Sequence, residues 1–599
     1  MKLSSFCMRF LAFMVMALTV GTSFVRGQSP SLTGIGGYDL ASPADRAFAF
    51  DYNGSGKLNA LVLYRPGTGM ISIVGLDTFK QNFISLYQSN NGMRGYDLKS
   101  TADRAFAFDY NDSSKLNTLV LYRPGAGKIW ILGKTIPSDF APVYQAEGIN
   151  VVDMIPASLS AETNQDSEPF LAVHAMDPQV MVASAFTPNP TSSTGPAPLY
   201  VSQDGGSTWF LNAIVPAQNM TCDITHAMAT GENNPRGDLH GGNLACAGAI
   251  TLDESETTDV ASAAAMSVQS TRTNVDQPFV RALAILGNDH IYVGVNDFNQ
   301  PSGHTATVDV SVDGGVHWKS NSIEARNTMG QDGPSVRPAI APDGTVYAAF
   351  FGWRNFTGAI ATSDVVVVRD DAAGIGATPF QALRDPSDNL PGRIAVRSVS
   401  IPWSNAPTMG QERIGSTLSI AVDPNKSSTV YLGWADRVGN GDIYPLHVRL
   451  SIDRGVTWSS SDLPNTTITN ATNISLVVAD SGVVGLLYQQ FTNGRWITHL
   501  VQSKNAFATI QDTILATVPA NTPTLQFLPY LGDYDYLLAI RGEFRGVFCA
   551  NNAPDSGNWP HGVIYQRAAT FITKTLTDGS GNPVAISIDP FFFSVPVIP

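Results

Sequence analysis

Side chains able to do chemistry recur between residues 168 and 536 in a pattern of position. Glu168, Asp276, Asp332, Glu412 and Asp533 each stand at or just before a short apolar run that reads as a β-strand. Arg281, Arg337 and Arg413 lie on or near the same runs. Asp297, Arg354, Asp436 and Arg437 follow the partner runs, and Trp353 and Trp434 hold equivalent places after "VYAAFFG" and "VYLG". If these runs converge on one axis, the set is what a sugar site needs. An arginine fork binds a carboxylate with two prongs, an aromatic face stacks on a sugar ring, and paired carboxylates or a tyrosine–carboxylate pair cleave a glycosidic bond. The catalytic candidates are Asp276, Glu412, Asp533, Tyr534 and Tyr536; the substrate-binding candidates are Arg281, Arg337, Arg413, Trp353 and Trp434. Acids that cap turns and arginines that pair with them would leave the same trace, and residue types alone do not choose between the readings.

Such convergence requires repeated hairpins. Inner-strand runs are "EPFLAV" (Glu168), "DQPFVRALAI" (Asp276), "VRPAIAP" (Val336), "STLSIAV" (Ser416), "ISLVVAD" (Ile474) and "YLGDYDYLLAI" (Tyr530). A weaker unit around "CDITHAMAT" (Cys222) makes seven, with six as the alternative. Most are followed by a partner strand such as "TVYLGWADR", and no amphipathic helical pattern appears. In antiparallel hairpins the start of strand one and the end of strand two share one end of the sheet. A turn joining strands three and four lies at the other.

That turn is written three times, as "SQDGGSTW" (Ser202–Trp209), "SVDGGVHW" (Ser311–Trp318) and "SIDRGVTW" (Ser451–Trp458). The Asp accepts backbone N–H groups across a tight hairpin, Gly supplies a left-handed position, and the Trp packs on the sheet behind. The pattern resembles the Asp-box (BNR repeat) of sialidase-like β-propellers. The resemblance implies an all-β, six- or seven-bladed propeller with its boxes on the face away from the site. It also implies retaining hydrolysis: an arginine triad holds the substrate carboxylate, a tyrosine activated by a nearby Glu attacks the sugar, and an Asp is acid and base. "GDYDY" puts Tyr534 and Tyr536 beside Asp533 and Asp535 in the last blade, where that family keeps its tyrosine. In a strand the two tyrosines face one side and the two acids the other, so they compete for the channel. The chain lacks the family's [FY]-R-[IL]-P near the start of the propeller, and Arg281 in "PFVRAL" is a poor substitute. The resemblance therefore carries the fold further than the reaction.

Residues 37–74 and 95–132 form a tandem duplication, each copy a strand, polar turn and strand ("RAFAFDY", "LNALVLYRP"). A unit this small cannot bury its own face. The repeats resemble the FG-GAP-like repeats of propeller lectins and integrin-type heads. Asp51, Asn53, Ser55 and Asn59, like Asp109, Asn111, Ser113 and Asn117, have the alternate spacing of a calcium loop. With one carboxylate per loop they are read as structural turns, and no metal is assigned.

The 599 residues include 14% charged residues, 53 Gly and 37 Pro, a composition of many short strands and tight turns. A net charge of -14 without any Lys/Arg run excludes a nucleic-acid partner and disfavours an anionic membrane surface. Lys2 and Arg9 precede the apolar run Phe10–Val20, which reads as an export signal cleaved near Gly27 and is too short to span a bilayer. Of the remaining cysteines, Cys222 and Cys246 close a short local loop and are the expected bridge, leaving Cys549 as a buried thiol. Sequons at Asn53, Asn111, Asn219, Asn355, Asn425, Asn465, Asn470 and Asn473 agree with a secretory route. Zinc spacing, G-x-S-x-G and a phosphate-binding loop are all absent, so no cofactor is expected.

The expected organisation is a signal peptide (1–27), a lectin-like tandem β-repeat domain (28–150) and a sialidase-like propeller (151–599). The expected function is that of a secreted, sialidase-like glycan-active protein, a retaining glycoside hydrolase acting on terminal sugars. The alternative is a non-catalytic lectin or adhesion propeller. Glycans or glycoproteins are the expected partners, and the sequence leaves the oligomeric state open.

Overall fold

The structure, a computed structural model, describes residues 34–598 except 78, 81, 95, 111–112, 125–127, 136–138, 147, 187–196, 218, 232–233, 247–249, 302, 329–335, 359, 403–408, 411, 440–441, 464–467 and 524–529. The proposed signal segment and Asp332 lie outside the described residues. Two compact units divide between Ala146 and Glu147.

The second unit is a seven-bladed β-propeller. Its innermost strands are Ser167–Val173, Thr221–Gly231, Val275–Ile285, Arg337–Ile340, Leu418–Asp423, Ala471–Val478 and Tyr536–Ile540, numbered here as blades 1 to 7. All seven runs expected from the sequence, including the weak one at Cys222, supply an innermost strand. Each packs against the next in order, and that of blade 7 packs against that of blade 1. Blade 7 is assembled from both ends of the unit. Ile588–Pro596 pairs with Glu543–Asn551 on one side and with Asn150–Asp153, the outermost strand, on the other. The fully buried Arg567 clasps this seam: it binds Asp153 at 3.2 Å, the Glu162 carbonyl at 3.1 Å, and Asp589. Among the described residues helical structure amounts to three single 3₁₀ turns, and no helix is long and apolar enough to cross a membrane.

The boxes join strands three and four of blades 1 and 3 and follow strand three of blade 5, which has three strands among the described residues. In blade 1, Ser202 pairs with Met181, while the entry residue Ser167 pairs with Phe186, so box and entry lie at opposite ends of the sheet. Asp204 accepts from the Thr208 amide (2.9 Å) and hydroxyl (2.7 Å), Ser202 accepts from the Gly206 amide (2.9 Å), and Trp209 Nε1 donates to the Gly206 carbonyl (3.2 Å). The network recurs around Asp313 and Asp453. A fourth box, which the sequence disguises, closes blade 6. Asn505 accepts from the Thr509 amide at 2.9 Å and Ser503 from the Phe507 amide at 2.8 Å, with Ala506 and Phe507 holding the left-handed positions. Trp209 is buried against Phe592, whereas Trp318 and Trp458 are half-buried. The Cys222–Cys246 disulfide forms and Cys549 is a buried thiol, both as expected.

The first unit holds two four-stranded antiparallel sheets, Arg46–Phe50 through Asn82–Ser89 and Arg104–Phe108 through Asp139–Ala146, one per repeat. The repeated letters recur as repeated contacts: Tyr38 and Arg65 each bind Asp45 at 2.9 Å, and Tyr96 and Arg123 bind Asp103 at 2.7 and 2.9 Å. In the turns, Asp51 accepts from the amides of Ser55 (2.9 Å) and Gly56 (2.7 Å), and Asp109 from that of Ser113 (2.9 Å).

Because Trp209 alone of the three box tryptophans is fully buried, Trp209→Ala should destabilise the propeller by about 3–5 kcal/mol, and Trp318→Ala and Trp458→Ala by less. Chemical denaturation of the three variants checks the order.

Candidate functional site

Four innermost strands begin with the same irregularity. Their pairing slips between Ser167 and Phe170, Thr221 and Ile224, Asp276 and Phe279, and Thr472 and Ser475. In three of these bulges a non-glycine residue is left-handed: Glu168 (φ 53), Gln277 (φ 57) and Asn473 (φ 55). Such backbone costs of order 1–3 kcal/mol per residue and re-aims a side chain out of the pleat. Here it gathers the polar groups of blades 1, 2, 3 and 6 at the channel mouth opposite the boxes.

They meet the segment that enters blade 7. The Tyr530 hydroxyl lies between two carboxylates, within hydrogen-bond reach of Glu168 Oε1 and 2.6 Å from Asp533 Oδ1. Arg413 donates to the same hydroxyl oxygen at 2.6 Å and pairs with Asp533 (2.7 Å) and Glu168 (3.2 Å). Gln277 Nε2 donates to the other Asp533 oxygen at 3.2 Å. The buried Glu412 accepts from the Leu531 amide at 2.7 Å and so holds the segment in place. Gly532 (φ 128) is required there, since a Cβ would stand 2.3 Å from the Glu168 nitrogen.

Crowding sets the protonation states. Burial, reinforced by Asp223 and Asp533, raises the Glu168 carboxyl well above the usual range, and burial likewise raises Asp223 and Glu412. Asp276, only partly covered, is pushed up to about 6 by burial and then by Asp223. Burial raises the Tyr530 hydroxyl, with Asp533 and Glu168 adding to it. Burial opposes the Arg413 charge, yet Asp533, Tyr530 and Glu168 outweigh it and raise its pKa.

The structure thus brings together Asp276, Glu412, Arg413, Asp533, Tyr534 and Arg337 from the sequence candidates. Tyr534 and Tyr536 are not exposed hydroxyls but a buried aromatic floor: Tyr536 lies on Phe170 with centroids 3.8 Å apart, and Tyr534 packs edge-on to Phe170 and Phe279. Arg337 sits over Phe279 at 4.1 Å and binds the Leu418 carbonyl at 3.2 Å, with burial lowering its pKa to about 10. Arg281 lies past this floor, over Tyr536 at 4.7 Å, and lines an axial cavity of about 160 Å³ with Leu283, Ile340, Val422 and Leu538. It does not join the mouth. Trp353 and Trp434, expected as exposed stacking platforms, are 4% and 1% exposed; they stack on Phe356 and His447, because second strands turn their large residues between sheets. The polar groups after those strands form ion pairs: Arg354 with Glu324 and Asp364, Asp297 with Arg272, Asp436 with His447, and Arg437 with Asp442. Tyr530, Asp223 and Gln277 were not among the site candidates. The Gly two residues after Tyr530 was the available signal for the first, since it breaks the strand reading of "YLGDYDY".

No protein-family model matches the chain, and no curated protein matches it. Solved structures to which it is similar include an α-L-arabinofuranosidase of Fusarium graminearum in complex with an iminosugar inhibitor, at 10% identity over 74% of this chain and 96% of that one, with a TM-score of 0.36. A Penicillium chrysogenum α-L-arabinanase complexed with arabinobiose is similar at 13% identity over 74% and 97%, with a TM-score of 0.32. The endosialidase of phage phi92 is similar at 11% identity over 78% and 72%, with a TM-score of 0.35.

A carboxyl raised in the folded state favours folding below its unfolded pKa, and that contribution is lost as pH rises through the folded value. For Asp276 the window runs from about 4 to about 6. Asp276→Asn should therefore be more stable than the parent at pH 7 by on the order of 1 kcal/mol, after allowance for partial exposure. The gain should vanish at pH 4, as unfolding followed across that range will show.

Proposed function

We propose that the protein is a secreted glycoside hydrolase of the retaining type, acting on a terminal sugar at the channel mouth. The observation that carries this reading is the Tyr530 hydroxyl, flanked by Glu168 and Asp533 and receiving a hydrogen bond from Arg413. Tyr530 Oη attacks the anomeric carbon and gives its proton to a flanking carboxylate, while Arg413 stabilises the developing phenolate. Asp276 protonates the departing glycosidic oxygen. It then takes a proton from the water that cleaves the glycosyl–tyrosine bond, and Tyr530 recovers its own proton as it leaves. Two displacements at one carbon retain its configuration.

The engagement of the guanidinium groups favours a neutral sugar over an acidic one. Glu168, Asp223, Asp276, Glu412 and Asp533 surround the site, and both guanidinium groups there, Arg337 and Arg413, are already engaged. An anionic sugar would find both forks already committed, Arg337 to the Leu418 carbonyl and Arg413 to Asp533. The Cys222–Cys246 disulfide supports an oxidising, extracellular setting.

A panel of fluorogenic exo-glycosides tests the reading. Tyr530→Phe should lower kcat by roughly 10³-fold with the fold intact, and Asp276→Asn should lose most on substrates with poor leaving groups. Since the acid must be protonated, kcat/KM should fall as pH rises through about 6. Unchanged turnover in Tyr530→Phe overturns the mechanism, and glycan binding without turnover by the parent protein establishes the lectin alternative.

A further inference from the structure

The two repeats of the first unit have near-identical sequences, but they differ in which equivalent residues they cover. One cluster joins Phe50, Val62 and Tyr64 of the first repeat to Leu98, Leu119 and Trp130 of the second. The contact includes polar bonds: the Asp51 amide donates to the Leu116 carbonyl at 3.0 Å, and the Ala105 amide to the Tyr64 hydroxyl at 3.1 Å. Lys134 covers the Tyr52 ring at 3.6 Å. The trailing face of repeat one thus packs on the leading face of repeat two.

Each repeat also carries the face that its neighbour uses. Phe50 is fully buried, while its counterpart Phe108 is 42% exposed. Tyr52 is half-buried, while Tyr110 is exposed. In the reverse sense Leu98 is fully buried and its counterpart Leu40 is 43% exposed. Repeat two therefore leaves Phe106, Phe108 and Tyr110 exposed on its trailing face, and repeat one leaves Leu40 exposed on its leading face beside the buried Tyr38, Leu63 and Val74. These two open faces are the halves of a contact the molecule already makes once. Exposed aromatic and aliphatic residues gathered on one sheet face mark an interaction site.

We propose that the occupant of each open face is a second copy of this chain, joined head to tail. The leading face of repeat one in one molecule packs on the trailing face of repeat two in the next, repeating the internal contact between molecules. Such a contact is heterologous, so it propagates until the rotation per copy closes a ring. The shared sequence supplies complementarity without a new surface: Tyr110 stands where Tyr52 stands, and Leu40 where Leu98 stands.

Sedimentation velocity on the full chain across the micromolar range tests this. The parent protein should associate. Phe108→Asp and Leu40→Asp should each abolish association without changing the melting temperature, because both positions are exposed. Phe108→Ser should weaken it about 10-fold or more. An equimolar mixture of Phe108→Asp and Leu40→Asp chains should form one-to-one dimers that grow no further, since each retains the face the other lacks. A parent protein that stays monomeric, or association that survives both single substitutions, overturns the proposal. Failure of the two variants to pair when each alone is monomeric also overturns it, because the contact would then be symmetric.

Discussion

Closure of the ring is the constraint on which the rest of the second unit depends. Blade 7 is complete only when Asn150–Asp153, from the start of the second unit, pairs with Ile588–Pro596 from its end. Arg567 ties both strands through Asp153 and Asp589 in a fully buried setting. An ion pair out of water is costly to form and more costly to break by halves, so it enforces one arrangement of the seam. The candidate site lies across the same junction. Tyr530 and Asp533 enter blade 7, Glu168 opens blade 1, and their hydrogen bond spans first and last blades. The contact between Tyr530 and Glu168 therefore depends on how blade 7 is seated against blade 1.

The site is built from features that a sequence optimised only for stability would discard. Three non-glycine residues sit in left-handed backbone at strand entries, and carboxylates are held close enough to raise one another's pKa. These costs are concentrated at one end of the channel. At the other end the boxes satisfy their turn amides with short side chains, and the left-handed positions in the three written boxes fall mainly on glycine. The contrast separates the strained face that carries the candidate site from a face shaped for folding.

The propeller was legible because its signals are local and repeated. Apolar runs followed by partner runs marked all seven innermost strands, and hairpin geometry placed the boxes opposite the site. What was not legible depended on backbone irregularity or on substituted letters. The fourth box keeps its hydrogen bonds with Asn505 and Phe507 in place of Asp and Gly, so its letters do not match the pattern. Tyr530 was passed over because alternation was applied to "GDYDY" as a strand, whereas the strand begins only at Tyr536. Tyr534 and Tyr536 are accordingly floor, and Tyr530 carries the hydroxyl held between the two carboxylates. Trp353 and Trp434 were placed on the axis by their equivalent positions. Second strands do not border the axis, and their rings fill the space between blades instead.

The order of the strands along the chain also bears on how the protein is made. Asn150–Asp153 emerges from the ribosome before any blade, yet the strand it pairs with, Ile588–Pro596, emerges after all of them. Six blades can gather while translation continues, but the outermost strand of the seventh must wait unpaired for more than four hundred residues. Its apolar residues Val151 and Val152, one on each face of the strand, are open to mispairing in that interval. Vectorial synthesis thus leaves completion of blade 7, the blade that Tyr530 enters, to the end of the second unit.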